Sequence, residues 1–128
     1  MLERLTRLFL GGAVGSGRQL ISWIHIEDVV RMFISAIERS ELSGGFNATA
    51  PAPVTNSEFM RELRRVLHRP WSPPVPAPFA RAGAWLMGTD GNLALTSCGC
   101  APRRFLEHRF DFQFANLRAA FLDLYPKQ

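Results

Sequence analysis

Gly15-Ser16-Gly17-Arg18-Gln19-Leu20-Ile21-Ser22-Trp23-Ile24-His25-Ile26-Glu27-Asp28-Val29-Val30 is the stretch that decides how this chain is read. Glycines 15 and 17 free the backbone for a turn. Leu20–Ile24 is a short apolar run that predicts a strand. Glu27–Arg39 predicts a helix, with Val29, Val30, Phe33, Ile34 and Ile37 on one face at helical spacing. Glu27 and Asp28 fall in the first turn of that helix, where the helix dipole favours negative charge, and this alone accounts for them. Trp23 and His25 alternate with Ile24 and so share one side of the extended run. Facing a cleft, they would supply an aromatic wall and a general base; facing inward, the ring of His25 would make a structural hydrogen bond.

Outward from this stretch, the pattern alternates short strands and helices. Upstream, Leu2, Leu5, Leu8 and Phe9 fit the last turns of a helix, which Gly11-Gly12 breaks. Downstream, Gly44-Gly45 ends the first helical unit and Phe46–Ala50 reads as a short strand. Thr55-Asn56-Ser57-Glu58 is a capping-box pattern that opens a helix to about His68, with Phe59, Leu63, Val66 and Leu67 inward and Arg61, Arg64 and Arg65 largely toward water. Pro70–Pro78 holds five prolines in nine residues and reads as a stiff connector. Phe79–Met87 resumes helical character, with Phe79, Ala82, Trp85 and Leu86 available for packing, and residues 88–101 have the least regular pattern. Pro102 suits the first turn of a helix over Arg103–His108. Phe110, Phe112 and Phe114 alternate with polar residues at a strand-like period. Asn116 can cap a last helix with Leu117, Ala120, Phe121 and Leu124 inward.

The pattern is α/β, or α+β-like, mostly helical with a few short strands. Those strands are too few for a full sheet. The predicted helix Glu27–Arg39, with its wide apolar face, needs a sheet to cover, so the sequence reads as incomplete by itself.

The chain has 128 residues, enough for one hydrophobic core, and 47% of them are hydrophobic, which excludes intrinsic disorder. No run is long and apolar enough to span a bilayer, and the N-terminus lacks the pattern of a secretory signal, so a cytoplasmic location is expected. The formal charge is +4, carried almost wholly by arginine with Lys127 the only lysine. The arginines are scattered, with Arg64-Arg65 and Arg103-Arg104 the only adjacent pairs, which makes nucleic acid a weak alternative partner. Cys98 and Cys100 are too close in sequence to favour a disulfide, and no further ligands stand at metal-binding spacing, so no metal is expected.

Catalytic motifs are missing in an informative way. Gly12-Ala13-Val14-Gly15-Ser16-Gly17-Arg18-Gln19 superficially looks like a phosphate-binding loop. It has Arg18 and Gln19 where Lys and Ser or Thr are needed, and it leads into a strand rather than a helix. No glycine fingerprint for a dinucleotide follows a strand. Tyr125 is the only tyrosine and has no lysine four residues on, so the Tyr-x-x-x-Lys pair of short-chain dehydrogenases is absent.

Seven blocks carry a resemblance. They are Gly11-Gly12 with Gly15–Gln19; Ser22–Asp28; Phe46–Pro51; Val54–Phe59; Pro74–Phe79; Pro102–Leu106; and Phe110–Phe114. In this order they resemble the C-terminal part of the epimerase-family proteins, atypical extended short-chain dehydrogenase/reductases that end in a DUF1731-type domain. The stretch Thr96–Cys100 departs from that pattern. The resemblance implies a Rossmann-type enzyme whose N-terminal domain binds NAD or NADP and whose C-terminal half closes over a sugar-like or other carbonyl substrate. It assigns residues 1–50 to the edge of the Rossmann domain with a substrate-cleft loop, and 51–128 to the DUF1731-like helical substrate-binding domain. Arg18, Gln19, Trp23 and His25 would line the cleft, Asn47 would lie near its floor, and Arg18 would pair with an anionic group such as phosphate. No catalytic or cofactor-binding residue is expected in this chain. The expected function is that of a truncated NAD(P)-dependent epimerase/dehydratase-family protein, inactive alone. Its expected partner is the missing Rossmann half, or a second copy through an exposed apolar face. A stand-alone interaction module is the alternative.

Overall fold

The computed structural model describes residues 2–69, 71–86 and 96–126. Its elements are helix α1 (Leu2–Arg7), strand β1 (Leu20–Ile21), helix α2 (Ile26–Glu38), strand β2 (Val54–Thr55), and helices α3 (Asn56–Val66), α4 (Ala77–Leu86), α5 (Arg103–Glu107) and α6 (Leu117–Leu124). β1 and β2 pair antiparallel, Leu20 opposite Thr55 and Ile21 opposite Val54. This two-stranded ladder is the one named sheet among the described residues. The chain is α/β-like and mostly helical, as the sequence predicts.

Local chemistry sets the helix ends. Thr55 Oγ1 accepts from the Glu58 amide at 3.2 Å and starts α3. Asn116 Oδ1 accepts from the Arg118 and Ala119 amides at 2.9 and 3.3 Å and starts α6. α3 and α6 then pack together through Met60, Leu63, Leu67, Leu117 and Phe121, with the Phe59 and Phe121 rings meeting edge to face 5.1 Å apart. A second cluster joins Met32 of α2 to Leu42 and Phe105, flanked by Ile24, Phe46, Phe110 and Phe112.

The glycine loop before β1 is shaped by close approach to the chain itself. Gly17 has φ +67°, and a Cβ there would stand 2.0 Å from Ser57 Oγ; one on Gly12 would stand 1.8 Å from the Pro73 carbonyl oxygen. Both glycines are therefore needed for packing.

The elements differ from expectation in several places. Phe110–Phe114 does alternate between half-buried and exposed side chains, but it pairs with no strand. Instead its amides turn to a buried carboxylate on α2. Phe46–Ala50 is not in a ladder either, although the Ala50 amide bonds to the Trp23 carbonyl at 2.7 Å. β2 replaces it as the partner of β1, and β1 itself is shorter than Leu20–Ile24. Arg64 turns partly inward and donates to the Gly11 carbonyl at 2.7 Å. Phe79, Trp85 and Leu124 are largely exposed. The expectations for Met87 and residues 88–95 lie outside the described residues.

Candidate functional site

α2 buries Asp28 and Met32 against the rest of the chain. Asp28, with no exposed surface, accepts from the Gln113 amide through Oδ1 at 2.8 Å and from the Phe114 amide through Oδ2 at 2.9 Å. Arg31 reaches Asp28 Oδ1 at 3.4 Å and Asp111 at 3.7 Å and lies 5.5 Å over the Phe110 ring. Past the end of the helix, Arg39 holds the His108 carbonyl with two bonds of 3.3 Å. Residues 28, 31, 32 and 39 thus grip the C-terminal segment from one side of α2. Its other side carries Ile26, Val30, Phe33, Ile34 and Ile37, all exposed, Ile37 to 84%.

His25 is the N-cap of α2. Its Nδ1 accepts from the Glu27 amide at 3.3 Å, so the neutral ring carries its proton on Nε2. The ring is 98% buried and stacks on Phe114, centroids 3.9 Å apart. Nε2 lies 3.4 Å from an Asp123 carboxylate oxygen, near enough for an ion pair when the ring is protonated, yet it has no partner in hydrogen-bond geometry.

His25 and Trp23 border a common cavity of about 290 Å³ with Ile24, Phe59, Phe121 and Leu124. Trp23 also borders a more polar cavity of about 360 Å³ with Glu58, Glu62, Arg65, Asn116 and Arg118, and its indole N–H donates to the Ala52 carbonyl at 3.1 Å. The structure therefore brings together Trp23 and His25, the two residues whose alternation predicts a shared side. Gln19 is buried, its side-chain amide donating to the Val14 carbonyl at 2.9 Å, and it braces the glycine loop. Arg18 and Asn47 are exposed and border neither cavity.

Sequence reasoning missed the partners of this site. Asp123, Phe114 and the amides held by Asp28 lie far along the chain from His25 and Asp28, the latter 85 and 86 residues away. The Asx cap at Asn116 fixes where α6 begins but not what its outer residues meet.

Much of the basic charge is engaged within the chain. Arg7 pairs with Glu3, Arg39 with Glu41, Arg65 with Glu62 and Arg103 with Glu107, each at 2.8–2.9 Å. Arg104 donates to the Gly45 and Ser43 carbonyls and covers the Phe46 ring at 4.1 Å. Among the described residues no cluster of three or more potential metal ligands occurs, and no helix is long and apolar enough to cross a membrane.

No family model matches the chain. Individual proteins do. An epimerase family protein of Staphylococcus epidermidis is 36% identical over 124 residues, which is 97% of this chain and 40% of that protein. The mouse epimerase family protein SDR39U1 is 40% identical over 119 residues, again 40% of its length. The crystal structure of human SDR39U1 (isoform 2) with NADPH superposes with a TM-score of 0.81 at 30% identity, covering 98% of this chain and 42% of that one. The chain spans about two fifths of the length of the relatives it matches. The matches run over almost the whole chain, which is similar in sequence and fold to one portion of longer epimerase family proteins.

Proposed function

We propose that this chain is the substrate-facing, C-terminal portion of an NADP-dependent epimerase-family oxidoreductase, and that by itself it neither binds the cofactor nor turns over. The observation that carries this reading is the outward apolar stripe of α2: Ile26, Val30, Phe33, Ile34 and Ile37 form one face, and all five are exposed. A fully buried aliphatic or aromatic side chain contributes roughly 1.5–3 kcal/mol relative to an exposed one. A helix that buries only Asp28 and Met32 and leaves this apolar stripe outward is shaped for a second surface. The solved relative contains NADPH and is more than twice as long, so its remaining portion is the natural source of both that surface and the cofactor site.

Residues 1–50 form the edge that meets this second body. Residues 51–128 form the DUF1731-like substrate-binding part, tied to the first by the β1–β2 ladder and by Asp28. In this assignment Arg18 and Asn47 contact a sugar-like or other carbonyl substrate, with Arg18 available for an anionic group. Trp23 and His25 wall the cavity of about 290 Å³, and Gln19 holds the loop that carries Arg18. The stand-alone interaction module rests on the same exposed stripe and differs in what it docks.

NADPH fluorescence tests the assignment. The chain alone should leave the emission unchanged. Mixed with the portion of mouse SDR39U1 that it does not match, it should form a complex that binds NADPH and slows amide exchange across α2. NADPH binding by the chain alone, or failure of the two portions to associate, overturns it.

A further inference from the structure

Cys98 and Cys100 are both free, and the structure places their sulfurs 3.8 Å apart. Three contacts fix the backbone that does this. The Cys98 amide donates to the Leu20 carbonyl at 3.0 Å, the Cys100 amide donates to Ser22 Oγ at 2.8 Å, and the Ser22 hydroxyl donates to the Cys98 carbonyl at 2.9 Å. Ser22 therefore spans both cysteines from below. The residue between them is glycine, and a Cβ there would come within 2.7 Å of Leu20 Cδ1, so a larger residue would push that side chain aside. The sequence spacing argues against a bridge; the curl along β1 removes that objection by bringing the sulfurs into contact while leaving Cys98 exposed to solvent.

We propose that Cys98 and Cys100 form a thiol–disulfide exchange site that closes to an internal disulfide, with a low-molecular-weight disulfide such as glutathione disulfide as the oxidant. The Cys100 thiolate attacks one sulfur of glutathione disulfide. That S–S bond breaks, a mixed disulfide forms on Cys100, and one glutathione thiolate leaves. Cys98 then loses its proton and attacks the Cys100 sulfur, expelling the second glutathione. Two protein thiols are oxidised to one disulfide, one glutathione disulfide is reduced to two glutathiones, and the two thiol protons pass to the departing thiolates. The hydrogen bond to Cys100, and then Cys100's charge, hold the Cys98 thiol above the usual range. Capping Cys100 removes its charge and releases Cys98 to resolve the intermediate.

The test equilibrates the full chain with glutathione redox buffers, folded and in strong urea, and reads the products by mass after blocking free thiols. The expected product lacks two hydrogens in the peptide that carries both cysteines and takes up no blocking reagent. Its formation constant should be at least about tenfold larger in the folded chain than in urea. Cys98→Ser should stop at one glutathione held on Cys100. Glutathione on both cysteines with no internal bond, a disulfide between two chains, or an equal constant in urea overturns the proposal. The urea comparison needs no variant to fold.

Discussion

Asp28 and His25 show how much of this molecule rests on single side chains at the start of α2. The Asp28 carboxylate, wholly buried, accepts two amides from the far end of the chain. Hydrogen bonds to a charged group contribute about 1.5–3 kcal/mol each, and removing the acceptor leaves both amides without a partner. Asp28→Ala is expected to lower the unfolding free energy by roughly 3 kcal/mol or more in urea titrations, and Asp28→Asn by less, since one acceptor oxygen survives. A surface-like loss below about 0.5 kcal/mol would contradict the role given to it. For His25, the bond from the Glu27 amide to Nδ1 dictates the tautomer. Nitrogen-15 NMR on the neutral ring should find the proton on Nε2; a proton on Nδ1 would contradict the cap. At Cys98, the neighbour raises the thiol above its ordinary range. Cys100→Ala takes away the hydrogen-bond partner and the charge that resist ionisation, so alkylation of Cys98 should set in at lower pH than in the parent chain, and an unmoved pH profile would argue against the contact between the two sulfurs.

The elements were legible in the sequence where their cause is local and obscure where it is not. Thr55 and Asn116 announce α3 and α6 because a cap acts within three residues of itself. Asn116→Ala should therefore cost about 1 kcal/mol, seen as a lower denaturant midpoint at unchanged slope. Phe110–Phe114 has the period of a strand because alternate rings sink toward Phe105 and His25, yet its amides go to Asp28. Periodicity reports which side chains are inward and is silent about where the backbone bonds. β2 is two residues long, too short to leave a pattern. Of the candidate site, the pairing of Trp23 with His25 could be read from alternation. The cap made by His25, the approach of Asp123 and the bracing by Gln19 depend on contacts across the fold. The need for glycine at 17 was readable only as flexibility; its close approach to Ser57 emerges in three dimensions.

For the molecule as a whole, the arrangement is lopsided. Two apolar clusters are internal, one between α3 and α6 and one under α2. The apolar stripe on the outside of α2 belongs to neither. Contiguous exposed apolar surface of this kind marks an interface. Its relatives are more than twice as long, and under the proposed function their remaining portion is the body it meets. The most direct measurement is sedimentation velocity on the isolated chain, alongside a variant carrying Ile34→Glu and Ile37→Glu on the outer face of α2. The account predicts that the parent chain self-associates reversibly and that the charged variant, retaining the same helical content, runs as a monomer. A parent chain that sediments as a monomer at all concentrations and melts cooperatively would contradict it.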